Sequence, residues 1–425
     1  MEIRYSINCW ICSFALLGIF TWNKGFGQLK EIQNNNEGVL TLRIDPTNAS
    51  GGNASDIFED IKYIPLETTS ESQFSNISQF DIFNGRYIIL DHATNCILIF
   101  KEDGKFLSKI KGKRNTIIHK FVINKWLGEI GYIDNTFQIL TICDIDGKFI
   151  RQQDISDIKI LGIFNSNFAY LGPDVVVSYD PYRDIKKGSK YFQPYSRALI
   201  RYAKSNASVL ATGFHYGEEE AKIDVVSPPT SPLTNYGIDT AYFFVKPYSF
   251  NIYTITPNTI NYSYHLAFPA NIALPSDFLT NKLYTGKREE FIKTHPNQIF
   301  SLNNCYKIND NLLFKAATYY SNNEDNLILN LKSGNLIAYK HILPDAKSFY
   351  LPLFDNTNSN FDNYGLDFCD GKYSYTSLTS FAMLKAHNEN KSLNAKYDST
   401  LLNYFAKSNK DANPVILRLQ LKNEL

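Results

Sequence analysis

Residues Ile97 to Ile110 read ILIFKEDGKFLSKI: an apolar run, a turn at Asp103 and Gly104, and a second alternating run. This is the pattern of a β-hairpin, because Asp-Gly is a turn dipeptide whose glycine tolerates positive φ, and short β-branched and aromatic segments flank it. Ahead of it, Tyr87 to Asp91 (YIILD) reads as another strand and Ile77 to Phe83 as a weaker one. Four short strands in succession make one sheet, and the same unit recurs along the chain.

The second unit runs through Phe121 to Ile123, Gly128 to Ile133, Phe137 to Asp144 and Lys148 to Gln152, with its turn at Asp146-Gly147. The step from Asp103 to Asp146 is 43 residues, which falls within the range of propeller-blade repeats. A third unit is expected over Val175 to Tyr179, Ala198 to Tyr202 and Ser208 to Thr212, turning at Lys204-Ser205-Asn206, with a polar insertion at Asp180 to Gln193. The fourth takes Ala241 to Val245, Phe250 to Thr254 and Ile260 to Phe268; the fifth takes Leu312 to Tyr319, Asn326 to Leu331 and Leu336 to His341. The last unit has Lys372 to Ser377 and Val415 to Leu421, but nothing beyond them to supply an outer strand.

The segment IKYIPLE (Ile61 to Glu67) fills that gap. Pro65 cannot donate to a ladder, so the segment belongs at a sheet edge, and a ring of radial sheets closes when its first and last strands share one blade. The expected fold is therefore all-β: a six-bladed β-propeller of four-stranded antiparallel blades with a mixed N/C-terminal closing blade. Helical stretches within Ala270 to His295 and Ser377 to Lys407 are short insertions, expected to cap the propeller faces. The domain reading is 1–27 leader, 28–56 N-terminal linker rich in Asn and Gly but interrupted by the alternating run Val39 to Ile44 (VLTLRI), which suits a strand, and 57–425 propeller.

Composition agrees with this reading. Thirty Phe and 28 Tyr against two Met favour pleated surfaces, and a chain that is 44% hydrophobic can bury a large core. Lysine and arginine (43) nearly balance aspartate and glutamate (42), so no global field attracts nucleic acid or an anionic membrane. Met1 to Gln28 has the order of a secretory leader: Arg4, the apolar run Ile11 to Phe20, and small residues at Gly25 and Gly27 before a cut. That run is too short to span a bilayer, and Cys9 and Cys12 lie too early for a lipoprotein site, so periplasmic, outer-surface or secreted export without a lipid anchor is expected. Cys96, Cys143, Cys305 and Cys369 then remain, either as disulfides in one of three pairings or as buried free thiols.

Several pieces together resemble a known family: IKYIPLETT (Ile61 to Thr69), YIILD with ILIFKEDGKFLSKI, Asn251 to Thr254, Leu274 to Leu279, and NPVILRLQLK (Asn413 to Lys422). The chain is similar over Ile57 to Lys422 to the uncharacterised six-bladed β-propeller family of Bacteroidetes, distant kin of NHL-repeat propellers. The resemblance implies a fold and an exported protein, and no reaction. Where members of that family commonly carry a Gly-rich loop after the first hairpin, Lys111 to Thr116 reads KGKRNT.

Motifs that carry chemistry are sparse. Asp144-Ile145-Asp146-Gly147 lacks the further acids of a calcium loop and reads as a hairpin turn. Glu218, Glu219 and Glu220 beside His215 read as a solvated face, and Asp180 with Asp184 as loop residues; either set would need convergence in space to act as a metal or acid–base site. Lys109, Lys111, Lys113 and Arg114 form a small basic run on an inter-blade loop, without the neighbouring aromatics of a nucleic-acid surface. The sequence lacks the G-x-S-x-G, P-loop and G-x-G-x-x-G motifs and paired histidine ligand spacings, and its C-x-x-C pair, Cys9 and Cys12, falls in the leader. The expectation is a monomeric, non-catalytic module that binds a glycan or a protein at a loop face, with no cofactor, metal or assigned site residue. The alternative is an extracellular hydrolase or lyase acting on carbohydrate or a small ester or lactone at the central funnel.

Overall fold

In the computed structural model, residues 30–32, 34–155, 168–179, 196–202, 209–215, 233–319, 325–355, 366 and 368–425 are described. The protein is an all-β propeller of antiparallel, four-stranded blades. Among the described residues there are six sheets, five of them wholly sequential in their antiparallel strands. The first comprises Gln79–Phe83, Arg86–Asp91, Cys96–Lys101 and Phe106–Lys111; the second comprises Ile118–Asn124, Glu129–Asp134, Ile139–Asp144 and Phe149–Asp154. The third begins at Phe168–Tyr170, the fourth at Leu233–Asn235 and the fifth at Ser301–Ile308. The sixth takes Phe368–Cys369, Ser374–Leu378 and Val415–Leu421 from the end of the chain and Phe58–Pro65 from near its beginning. Pro65 stands at the end of that outer strand, opposite Val415.

The apolar runs are continuous because each sheet is buried on both faces, and alternate side chains enter different cores. In YIILD, Ile88 and Leu90 pack with Ile118, Phe121 and Ile130 of the second sheet. Tyr87 and Ile89 point the other way and pack with Ile64, Tyr375 and Ile416 of the sixth. The second sheet meets the third through Ile133, Leu140, Tyr170 and Val176, and the third meets the fourth through Val177, Ala211 and Phe244. Phe243 and Ile252 of the fourth join Leu312 and Phe314 of the fifth, and Leu313 and Ile328 of the fifth join Tyr63 and Leu417 of the sixth.

Hairpin tips set the spacing between neighbours. Gly104 has φ +82°, and a Cβ there would lie 2.2 Å from the Pro65 carbonyl oxygen, so glycine meets both the turn and the close approach. The Glu67 N–H donates to the Gly104 carbonyl at 2.9 Å. One sheet further on, Ser108 donates to the Asp146 carbonyl at 2.6 Å and Arg86 pairs with Asp146 at 3.0 Å.

The N-terminal stretch expected to be linker is paired over much of its described length. Lys30–Glu31 lies parallel to the outer strand of the third sheet. Asn34–Asn35 and Leu40–Arg43 lie parallel to the outer strand of the fourth, and Ser50–Asn53 lies parallel to that of the fifth. Leu40–Arg43 lies within the alternating run VLTLRI, but the other three pieces carry little apolar periodicity; they become strands because exposed sheet edges offer unpaired N–H and C=O groups. After a short helix, Ala54–Ile57, the strap continues directly into the outer strand of the sixth sheet.

The helical insertions form Arg288–Thr294, Ser380–Glu389 and Ser399–Lys407. The last two do not cap the central cavity: Met383, Leu401 and Tyr404 are buried against Phe58, Ile61 and Leu417 of the sixth sheet. Arg288–Thr294 packs Ile292 among Tyr248, Phe278 and Phe300. All four described cysteines are free and buried. Burial pushes the Cys143 thiol up to about 11 and the Cys369 thiol up to about 12, which leaves both protonated and unreactive at neutral pH.

Candidate functional site: the central funnel

The first strands of all six sheets line one cavity of about 430 Å³. Its wall is rich in aromatic side chains, with Phe80, Phe121, Phe168, Tyr242, Tyr306 and Phe368 drawn from six different strands. Polar groups are interspersed: Gln79, Thr234, Asn235, Asn304 and Ser377. Short inner strands hold these groups in place. The Gln79 amide donates to the Phe121 carbonyl at 2.7 Å and accepts the Phe121 N–H at 3.0 Å, fixing the first sheet to the second. Asn124 donates to the Pro173 carbonyl at 2.9 Å, and Thr234 donates to the Cys305 carbonyl at 2.6 Å, fixing two further sheet pairs. Asn304 has φ +49° within a bulge of the strand Ser301–Ile308, which turns its side chain to the cavity wall.

Asp81 is the one carboxylate among the lining residues, beside the cations Lys125 and Lys315. Burial pushes the Asp81 carboxyl up to about 6, opposed by the Lys125 ammonium and by the Ile82 N–H that it accepts at 2.7 Å. Lys125 is also 3.2 Å from Asp239. Burial, with the Asp81 and Asp239 charges nearby, holds the Tyr242 phenol well above its ordinary range. Near the wall, burial brings the Lys120 ammonium down to about 8, and its Nζ lies 5.6 Å from the centre of the Phe168 ring.

The raised Asp81 value has a thermodynamic consequence. Its unfolded-state value is the ordinary 3.8, so between that pH and about 6 the folded protein holds a proton that the unfolded chain has lost. Stability therefore falls as pH rises through that window, and the loss is complete above about 6. Asp81→Asn is expected to raise stability by roughly 1.5 to 3 kcal/mol at pH 8, at about 1.4 kcal/mol per unit, and to change little below pH 4. Urea midpoints of the two proteins across that range check it; an equal difference at both ends would show that the charge is not the cause.

Of the residues singled out in the sequence, those that are described do not converge on the funnel. Asp144 accepts the N–H groups of Asp146 and Lys148 at 3.0 and 2.8 Å, an ordinary hairpin tip. His215 shares a 2.9 Å hydrogen bond with Thr212. Glu218, Glu219, Glu220, Asp180, Asp184, Cys9, Cys12, the leader and the turn at Lys204 to Asn206 lie outside the described residues. Lys109, Lys111, Lys113 and Arg114 line a separate groove. Among the described residues no group of three or more His, Cys, Asp or Glu side chains is arranged to hold a metal ion. Asp81 was not singled out; its one signal is an acid at the centre of the strand QFDIF.

Residues 40–420 match the family model described as "Domain of unknown function (DUF4934)". The chain belongs to this family. No curated protein matches the DUF4934 chain in sequence. Among solved structures it is similar to a presumed exported protein of Bacteroides fragilis, at 16% identity and a TM-score of 0.60, covering 90% of this chain and 99% of that one. It is also similar to a member of the duf4221 family from Bacteroides vulgatus, at 12% identity and a TM-score of 0.45, covering 86% and 97%. The first likeness supports the DUF4934 fold alone. No described helix is long and apolar enough to cross a membrane.

Proposed function

We propose that the six sheets form one closed ring and that this DUF4934 protein is an exported, non-catalytic binding module whose funnel takes a small saccharide. The observation that carries the reading is the funnel wall, where aromatic side chains stand together with amide and hydroxyl groups around about 430 Å³. That volume suits a small ligand, and such a lining suits a ring with one apolar face and many hydroxyls. Acid–base glycoside hydrolysis ordinarily needs two carboxylates, and Asp81 has no second one among the lining residues. The leader pattern and the presumed exported relative support export.

Thermal unfolding and calorimetric titration against a panel of mono- and oligosaccharides test the reading. A ligand at a hundred times its Kd should add about 2.7 kcal/mol of stability. Tyr242→Ala should weaken binding by about tenfold, as expected for losing one ring contact worth about 1.4 kcal/mol. Absence of binding to any saccharide, or turnover of one that Asp81→Asn abolishes, would overturn it.

A further inference from the structure

A second concavity, of about 410 Å³, lies where the outer strand of the first sheet runs into the KGKRNT loop, and Lys109, Lys111, Lys113 and Arg114 line it. The carboxylate lining it is Glu71, which is already engaged: Lys109 Nζ lies 2.9 Å from its Oε2 and donates to its carbonyl at 2.7 Å. Lys111, Lys113 and Arg114 are exposed and have no ion-pair partner among the described residues. The net charge of the whole chain is only +1, so this is a local concentration of charge.

The loop that carries these cations is fixed by one residue. Asn95 accepts the Gly112 N–H on its carbonyl at 2.8 Å, donates from Nδ2 to the Thr116 carbonyl at 2.7 Å, and accepts the Ile118 N–H on Oδ1 at 2.7 Å. A Cβ at residue 112 would come within 2.3 Å of the Asn95 amide, so glycine alone fits this seat. The cations are thus presented from a set backbone, which lowers the entropy lost on engaging a ligand. No aromatic side chain lines the groove for base stacking, and its apolar lining is limited to Cys96 and Leu98, both buried, which offers no membrane wedge.

We propose that this groove binds a tetrahedral oxyanion ester, a phosphate or sulfate monoester of a small soluble molecule. Guanidinium and ammonium groups together suit such a group, since charge-assisted bonds to it are about twice as strong as neutral ones. The site is independent of the funnel, so neutral saccharides should not compete for it.

The test is calorimetric titration of the full chain with inorganic phosphate, inorganic sulfate, glucose 6-phosphate, glucose 6-sulfate and glucose, at low and at physiological salt. The esters should bind with an affinity that falls as salt rises, and glucose should not compete with them. The triple variant Lys111→Ala, Lys113→Ala, Arg114→Ala should lose at least about tenfold in affinity with an unchanged melting temperature, because all three side chains are exposed. Asn95→Ala keeps every cation but frees the loop, and should also weaken binding; Lys105→Ala, an exposed cation on the hairpin turn, should not. Equal affinity in the triple variant, or binding to phosphatidylglycerol vesicles or duplex DNA with none to the soluble esters, would overturn the proposal.

Discussion

Replacing Leu417 by Asp is expected to abolish cooperative folding, and deleting Val415–Leu421 should do the same. Leu417 is fully buried in the third strand of the sixth sheet, opposite Thr376 on one side and Tyr63 on the other. Its strand joins the last part of the chain to Phe58–Pro65 through seven registered residue pairs. Truncating a buried leucine to alanine costs about 2–5 kcal/mol, and a carboxylate in the same place adds the cost of an unpaired buried charge. Against a total stability of about 5–15 kcal/mol, that sum leaves no stable fold. Circular dichroism with urea titration decides the matter: a cooperative transition at the original midpoint would show that the sixth sheet is not what closes the structure.

A loss of about 3–5 kcal/mol is expected for Asn413→Ala, two residues before that strand. Asn413 is 1% exposed and its polar groups are spent on the segment that leads from the outer strand of the sixth sheet into the first. Its Oδ1 accepts the Phe74 N–H at 3.1 Å, and Nδ2 donates to the Glu67 and Ser72 carbonyls at 2.8 and 2.9 Å. Its own N–H donates to Thr68 Oγ1 at 2.9 Å, and its carbonyl accepts from Ser380 at 2.8 Å. Alanine keeps the last two bonds and orphans the Phe74 N–H and the Ser72 carbonyl, each costing about 1–3 kcal/mol when buried, while the Glu67 carbonyl keeps only the Ser72 hydroxyl at 2.6 Å. Asn413→Asp retains the acceptor but sets an anion against two carbonyls, so it should fall at least as far above pH 5 and recover on protonation. Denaturant midpoints of both variants test this, and losses under about 1 kcal/mol would mean that water replaces the amide.

The sequence was most legible where strands are buried on both faces and joined by Asp-Gly turns. YIILD and ILIFK are found as Arg86–Asp91 and Cys96–Lys101, and the turns at Gly104 and Gly147 carry the positive φ their composition requires. Inner strands were harder. Phe168–Tyr170 and Leu233–Asn235 are three residues each, too short to show a period, and SLNNCYKI (Ser301–Ile308) is broken by the bulge at Asn304. The strap was unreadable for a different reason: KE, NN and SGGN have no strand propensity of their own and take their form from edges they meet hundreds of residues later. The funnel shared that difficulty, because its lining runs from Ile77 to Ile416 with each sheet giving only a few side chains. A lone acid such as Asp81 looks the same in sequence whether it faces water or a central cavity. The basic run was visible in full, but the fixed backbone beneath it depends on Asn95, which stands in a different turn.

The strap also sets an order of events in time. Ser50 bonds to the carbonyl of Leu336, 286 residues away, and Phe58–Pro65 pairs with the distant strand Val415–Leu421. Contacts so distant in sequence form late and slowly, because the intervening loop must close before they return any free energy. The strap, made before the sheets it covers, is thus among the last segments to settle. Until the strap docks, the outer edges of the third, fourth and fifth sheets lack their final strand, and open edges are where chains pair wrongly with one another. A chain built this way gains from being kept unfolded until its whole length is available.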